Sequence, residues 1–343
     1  MDHSENTPKE ISKETSEEQL EEMLANTPDT LPEALSEMTA PETDYQCGFA
    51  AVIGRPNVGK STIMNELLGQ KLSITSHKPQ TTRHRIHGIH TTDTHQIIYV
   101  DTPGMHLGGQ KSINDYMNRT ANSAFADVDA ILFVVEAGRW NKEDEAVAQK
   151  LENIDTPVIV VVNKIDKFPN KEDLFPFMKI VGENVKFTSL IPVSAYKKNG
   201  LNLIEKEVLK FLPNQEAIYS DEHITDRSSR FLASEIIREK LMRTLGEEVP
   251  YGATVEIEQF KFNEEEDRWI IHALILVERP GQKKIVIGKK GEQIKTMGIQ
   301  ARRDLIALMD ARVHLELWVK VKENWSDDAR ALASLGYNED YTS

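Results

Sequence analysis

The chain has 343 residues, enough for two or three domains with cores of their own, and its single cysteine, Cys47, excludes a disulfide scaffold and any zinc site built on cysteines. No run approaches 18 consecutive apolar residues and the acidic start resembles neither a signal nor a transit peptide, so a cytoplasmic protein without a transmembrane segment is expected. A net charge of −14 would exclude a nucleic-acid partner if it were spread evenly, but residues 1–45 hold thirteen Asp and Glu against two Lys, while Arg279 to Arg303 hold eight Lys and Arg against one Glu.

Residues 1–45 mix Glu, Thr, Ser and Pro with few aromatics. So little apolar surface cannot offset the entropy of ordering, and a disordered acidic tail is expected, either a solubilising arm or a ligand for a basic partner. From residue 46 to residue 213 apolar strands alternate with amphipathic helices: Phe49 to Ile53, Gln96 to Val100, Ala130 to Val135, Pro157 to Val162 and Ser189 to Val193. Near-continuous Val and Ile runs mark strands buried on both faces, hence an α/β domain whose mostly parallel sheet has helices on both faces. Ligands in such sheets bind at the carboxyl ends of the strands.

Residues 54–62 follow the first strand and read G-x-x-x-x-G-K-S-T, a P-loop in strand-to-helix context. A phosphate chain is polyanionic, so Gly54, Asn57, Val58 and Gly59 would turn backbone N–H groups toward it at the positive end of a helix. Lys60 would reach the β and γ phosphates, and Ser61, with Thr62 beside it, would bind Mg²⁺. Asp101 to Gly104 reads D-x-x-G directly after a strand. There Asp101 is placed to hold Mg²⁺ and the Gly104 N–H to sense a γ-phosphate, although alone the pattern is a common turn. Asn163, Lys164 and Asp166 form N-K-x-D after the next strand. Guanine offers two adjacent donors that the Asp166 carboxylate accepts, whereas adenine would face it with a lone pair. Ser194 and Ala195 complete a base-binding wall.

These four motifs, in this order, resemble the TRAFAC class of P-loop GTPases, and Lys78 to Ile86, reading K-P-Q-T-T-R-H-R-I, narrows the resemblance to the bacterial Era family. The resemblance covers residues 46–340. It implies GTP and GDP as ligands, Mg²⁺ bound by Ser61, Asp101 and a switch I threonine, Thr82 or else Thr81, and catalysis resting on Lys60, Thr82 and Gly104. It also implies that Asn57 supports a K⁺ ion at the phosphates. Met105 stands where Ras-like GTPases place the glutamine that orients the attacking water, so slow intrinsic turnover is expected. Five histidines (His77, His84, His87, His90, His95) precede Asp101. Solvated loop and strand-face positions are expected for them rather than a zinc site, because a spacing of three alternates faces in a strand.

Residues 214–227 read as a polar linker. Residues 228–245 carry a helical apolar stripe with Ser228 or Ser229 as N-cap, and a core-facing helix is expected. Strands follow at Ala253 to Phe262 and Arg268 to Glu278, then Gly288-Lys289-Lys290-Gly291 opening a helix, and a strand from Val313 to Lys320. An I-G-x-x-G loop in an α-β-β-α-α-β order resembles a type II KH domain, an α+β unit filling most of residues 228–343. Such loops clamp about four nucleotides by their backbone. Lys283, Lys284, Lys289, Lys290 and Lys295 would supply the charge. Strand alternation is read as placing Trp318 in the core; Trp325 is read as packing or stacking on a base.

Taken together, the resemblance implies a GTPase that binds the 3′ region of the small-subunit ribosomal RNA and acts in assembly of the 30S subunit. A cytoplasmic monomer able to sit peripherally on the inner membrane is also implied. The rival expectations are a related GTPase with a different RNA client and an RNA-binding adaptor whose nucleotide site is mainly structural.

Overall fold

Val158 to Asn163 reads V-I-V-V-V-N and every residue of it is buried, which is how a strand covered on both faces differs from an alternating one. It is β5 in a six-stranded sheet with β1 (Gln46–Ile53), β2 (Ile86–Thr91), β3 (His95–Asp101), β4 (Ala130–Glu136) and β6 (Ser189–Pro192), in the order β2-β3-β1-β4-β5-β6. All pairings are parallel except β2 against β3. The computed structural model describes residues 44–104, 111–125, 127–246 and 250–337, so the acidic tail through residue 43 and Met105 lie outside the described residues. Tyr45 already belongs to the fold, its hydroxyl donating to the Thr92 carbonyl at 3.3 Å. β2 is absent from the strands expected above, because Ile-His-Gly-Ile-His-Thr has no apolar run and sits at a sheet edge.

Helices α1 (Lys60–Leu67) and α5 (Leu201–Leu209) cover one face of the sheet, packing Ile63, Met64, Ile204 and Val208 on Val52, Leu132 and Val161. On the other face α2 (Ser112–Ser123), α3 (Lys142–Leu151) and α4 (Phe175–Asn184) pack Ala121, Val147, Leu151, Phe177 and Val181 on Ile131, Phe133 and Val160. Each buried Val, Ile or Leu contributes roughly 1.5–3 kcal/mol. The sandwich thus fixes the carboxyl ends of β1, β3 and β5, from which the binding loops spring.

The segment read as a linker is pinned along the sheet edge. The Ile89 N–H donates to the Ile224 carbonyl at 3.0 Å, and the Gln96 amide both donates to the Tyr219 carbonyl at 2.8 Å and accepts from its N–H at 2.9 Å. Beyond it α6 (Ser229–Thr244) starts at Ser228, whose hydroxyl accepts the Phe231 N–H at 3.3 Å. Then follow β7 (Ala253–Asn263), β8 (Arg268–Val277), α7 (Pro280–Ile287), α8 (Glu292–Met309), β9 (Val313–Val321) and α9 (Ala329–Ser334). β7 and β8 are antiparallel, and β9 joins β8 in parallel. This is the α-β-β-α-α-β order, with residues 280–287 helical.

One tryptophan differs from expectation and the other takes the first of its two expected roles. Trp318 is 44% exposed and packs edge-on against His272, because Val313, Leu315 and Leu317 take the core-facing register of β9 and the even positions face out. Trp325 is fully buried and its indole N–H donates to the Gly252 carbonyl at 3.0 Å, a packing role. Helix α6 has no exposed side of the ordinary kind. Ile236 and Ile237 enter the core against Ile257 and Ile271, while Glu235, Arg238, Glu239 and Lys240 are buried as well. No helix of the described residues is long and apolar enough to cross a membrane.

Candidate functional site

The P-loop takes its shape from two positions that no side chain could fill. A Cβ on Gly54 would lie 2.3 Å from the Val134 carbonyl oxygen, and one on Gly59 would lie 2.2 Å from the Asn163 amide nitrogen, both at positive φ. Val58 anchors the loop in the core. The Lys60 ammonium is buried and donates to the carbonyls of Gly54 and Arg55 at 2.9 and 3.0 Å. Burial lowers its pKa to about 8, against the opposing pull of Asp101. An ammonium held there faces whatever anion the loop's N–H groups take.

Ser61, Thr82 and Asp101 come together from α1, switch I and the end of β3. The Ser61 hydroxyl donates to Asp101 Oδ2 at 2.8 Å and lies 2.9 Å from the Thr82 hydroxyl. Thr81 turns away, donating to the Lys78 carbonyl at 2.6 Å. Asp101 is fully buried, and its Oδ1 has no hydrogen-bond partner among the described residues. Burial pushes its pKa up, opposed by the Lys60 charge and the Ser61 hydroxyl. Two hydroxyls and an under-satisfied carboxylate are the hard oxygen donors that suit Mg²⁺, so the residues present fit that ion. Lys60, Ser61, Thr82 and Gly104 line a small pocket of about 60 Å³ beside it. Gly104 touches the P-loop so closely that a Cβ there would sit 2.8 Å from the Pro56 ring.

This pocket shares Asn57, Gly59 and Thr62 with a cleft of about 1120 Å³, whose lining also includes Asn163, Lys164, Asp166 and Ala195. The Asn163 amide joins its walls, donating to the Val58 carbonyl at 2.8 Å and accepting the Ala195 N–H at 3.1 Å. Lys164 donates to the Asn57 carbonyl at 2.6 Å. Asp166 is exposed, and the Ser194 hydroxyl donates to its Oδ1 at 2.5 Å. The side-chain amide of Asn57 donates to the His77 carbonyl at 2.8 Å, tying the P-loop to switch I.

A set of residues behind the loop escapes sequence reasoning. Arg55 occupies a variable motif position, yet it is buried and pairs with Glu136 at 3.1 Å and Asp144 at 3.0 Å. Burial raises the pKa of Glu136, but Lys167, Lys164 and Arg55 more than offset this and hold it at about 2. No local pattern signals this buttress, since its members are 81 and 89 positions apart.

Switch I is held from outside by the C-terminal half. The Thr75 N–H donates to Glu239 at 3.0 Å, Arg238 donates to the Thr81 carbonyl, and Arg83 donates to the Ala253 and Tyr251 carbonyls at 3.0 and 3.2 Å. His84 is buried, 4.6 Å from the Tyr337 ring with which it stacks, and burial lowers its pKa to about 3. The start of α2 docks the same way, Lys111 pairing with Glu278 at 2.8 Å. The expectation of solvated histidines therefore fails at His84, and also at His95, which is 7% exposed. Phe231 and Tyr337 cover the first and Glu205 of α5 approaches the second, all of them partners far away in the chain.

In the G-x-x-G loop, Gly288 and Gly291 have φ of 73° and 80°, and a Cβ on Gly288 would lie 2.5 Å from the Gln293 Cβ. Lys290 also takes a left-handed conformation, φ 51°. Lys284, Lys289, Lys290 and Lys295 are exposed and Lys283 is half-buried. No ion pair among the described residues uses any of these lysines. Ile285 and Ile299, 50% and 62% exposed, stand on α7 and α8 beside them, apolar surface that the charge pattern did not announce.

Comparison with known proteins agrees with this layout. A family model for 50S ribosome-binding GTPases matches residues 49–164, and one for KH domains matches residues 248–326. GTPase Era of Yersinia enterocolitica is 54% identical over 303 residues, 88% of this chain and 99% of that protein, and GTPase Era of Yersinia pestis matches to the same degree. Among solved structures, a point variant of Aquifex aeolicus Era bound to GDP·AlF4⁻ superposes with a TM-score of 0.82 at 37% identity, covering 85% of this chain and 99% of that one. Era in complex with MgGDPNP and nucleotides 1506–1542 of 16S ribosomal RNA superposes with the same score and coverage.

Proposed function

Because the chain belongs to the Era family of GTPases, hydrolysing GTP to GDP and phosphate, we propose that it couples that cycle to binding the 3′ region of small-subunit ribosomal RNA during 30S assembly. The observation that carries the coupling is α6, which packs one face into the KH core and presents Arg238 and Glu239 to switch I, with Glu235 pairing Arg238 behind them.

In this reading Lys60 and the N–H groups of the P-loop hold the β and γ phosphates, the Gly104 N–H reads the γ-phosphate, and Asp166 accepts the guanine donors while Ser194 fixes its carboxylate. Lys164 covers the base, and Asn163 keeps the two walls in register. Ser61, Thr82 and Asp101 would hold Mg²⁺, which would supply positive charge at the phosphate oxygens. Asn57 would support K⁺ beside the P-loop, which would supply charge that an arginine finger gives elsewhere, and with Met105 unable to orient water the unaided rate is slow. Comparable turnover in K⁺ and Na⁺ buffers would remove the potassium role. The resemblance further implies a cytoplasmic monomer with peripheral contact to the inner membrane.

At the other end, the five lysines meet the RNA backbone and Ile285 and Ile299 offer apolar surface to bases. Crosslinking the intact protein in cells and sequencing the attached RNA tests the client. Reads concentrated at the 3′ end of the small-subunit RNA are expected, and enrichment of another RNA would overturn the assignment.

A further inference from the structure

The hairpin between β2 and β3 brings together three residues that the nucleotide and RNA sites leave unused. His90 near the end of β2 and His95 at the start of β3 both face Glu205 on α5. His95 Nε2 lies 3.3 Å from one Glu205 oxygen and His90 Nε2 lies 3.9 Å from the other. One ligand atom from each residue can be chosen so that all three lie within 4.8 Å of one another.

One observation separates this cluster from a surface ion pair. His95 is buried, and its Nδ1 lies 3.0 and 3.1 Å from the Thr92 and Thr94 hydroxyls, which set the ring's orientation and leave Nε2 as the nitrogen turned toward Glu205.

We propose that His90, His95 and Glu205 form a binding site for a divalent transition-metal ion, zinc foremost, with solvent completing the coordination. Two imidazole nitrogens and one carboxylate are a donor set that zinc takes, with a fourth position open, and that magnesium and calcium, which select oxygen, do not. Ligands about 2.0–2.1 Å from a tetrahedral ion stand roughly 3.3 Å apart. His95 and Glu205 are already at that spacing, so only the His90 ring has to close in. The ion would tether the hairpin that leads out of switch I to the helix that follows the Ser194–Ala195 wall, at a place distinct from the Mg²⁺ ligands.

The test uses the full chain, stripped with a chelator and saturated with GDP and Mg²⁺ so that the nucleotide site is filled, then titrated calorimetrically with zinc chloride and melted with and without zinc. One saturable site per chain is expected, with a zinc-dependent rise in Tm. His90→Ala and Glu205→Gln should each weaken that site by more than about tenfold and abolish the rise in Tm, while zinc-free GTP hydrolysis stays at the parental rate. His90 is only half-buried, so its removal leaves the fold intact. A His90→Ala isotherm superimposable on the parental one would place the zinc elsewhere, in the acidic tail for example, and overturn the site. So would a Glu205→Gln variant that melts lower by the same margin with and without zinc, because the cluster would then be an ion pair only.

Discussion

Replacing Lys289 and Lys290 together by Asp separates the RNA function from the fold. Both side chains are exposed and make no ion pair among the described residues, so no packing is lost. Lys290 has φ 51°, a conformation that Asp adopts more readily than most residues, and Gly288 and Gly291 keep the turn. Melting should therefore stay within about 0.5 kcal/mol of the parent, the usual range for surface changes. Each charge-assisted contact to a phosphate contributes roughly 1.5–3 kcal/mol, so losing two weakens RNA binding by about 3–6 kcal/mol, on the order of a hundredfold or more. Each phosphate neutralised on a single strand adds about −0.7 to the slope of log K against log salt, and the variant should be flatter by about 1.4. Fluorescence anisotropy with a single-stranded RNA from the 3′ end of the small-subunit RNA, over a potassium chloride series, reads both quantities. GTP binding by the same preparation is the control and should not change. An unchanged affinity and slope in a folded variant would show that the basic patch is only a solvated face.

Three other outcomes follow from the nucleotide site. Asp166→Asn presents a donor where guanine also donates, so GTP affinity should fall roughly a hundredfold, with preference moving to xanthosine nucleotides, whose C2 oxygen accepts; titrations in which GTP keeps its lead over XTP would defeat the base-reading role. Thr82→Ala should slow Mg²⁺-dependent hydrolysis on the order of a hundredfold while Thr81→Ala stays near the parent, and single-turnover rates in the reverse order would move the role to Thr81. Glu136 titrates at about 2 when folded against 4.5 ordinarily, so its contribution is present above pH 4.5 and is lost as pH falls toward 2. Glu136→Gln should cost at most about 3 kcal/mol at pH 7, and the gap between parent and variant in urea unfolding should narrow by about half near pH 3. A gap that stays constant over that range would mean Glu136 acts through packing.

What could be read from the residues was whatever repeats locally. Val158 to Val162 declares a buried strand, and the glycines of the P-loop and the 288–291 loop declare backbone that no side chain could share. Illegible features depend on a partner far away in the chain. Arg55 sits at a position any residue fills in the motif, and only the fold delivers Glu136 and Asp144 to it. The helix at 229–244 showed its apolar stripe but not that its charged side is covered too, because Thr75, Thr81 and Arg83 arrive from more than 150 positions upstream. His84 reads as a surface histidine until Tyr116, Phe231 and Tyr337 surround it. Trp318 was misread for a different reason, the wrong parity in an alternating strand whose apolar odd positions were already plain.

The double-sided burial of α6 bears on how such a protein can be recombined. Arg83 is fully buried and depends for acceptors on the Tyr251 and Ala253 carbonyls and the Tyr337 hydroxyl, and Glu239 receives Lys71 and Thr75 in return. A chimera that grafted an unrelated RNA-binding domain after residue 227 would remove α6 together with the three acceptors of Arg83 just named, and a buried cation stripped of its acceptors costs several kcal/mol. The two halves are therefore not interchangeable modules joined by a hinge. Changes in one must be matched by changes in the other, and an engineer who wants a new RNA target has to redraw the loop at 288–291 and leave α6 in place.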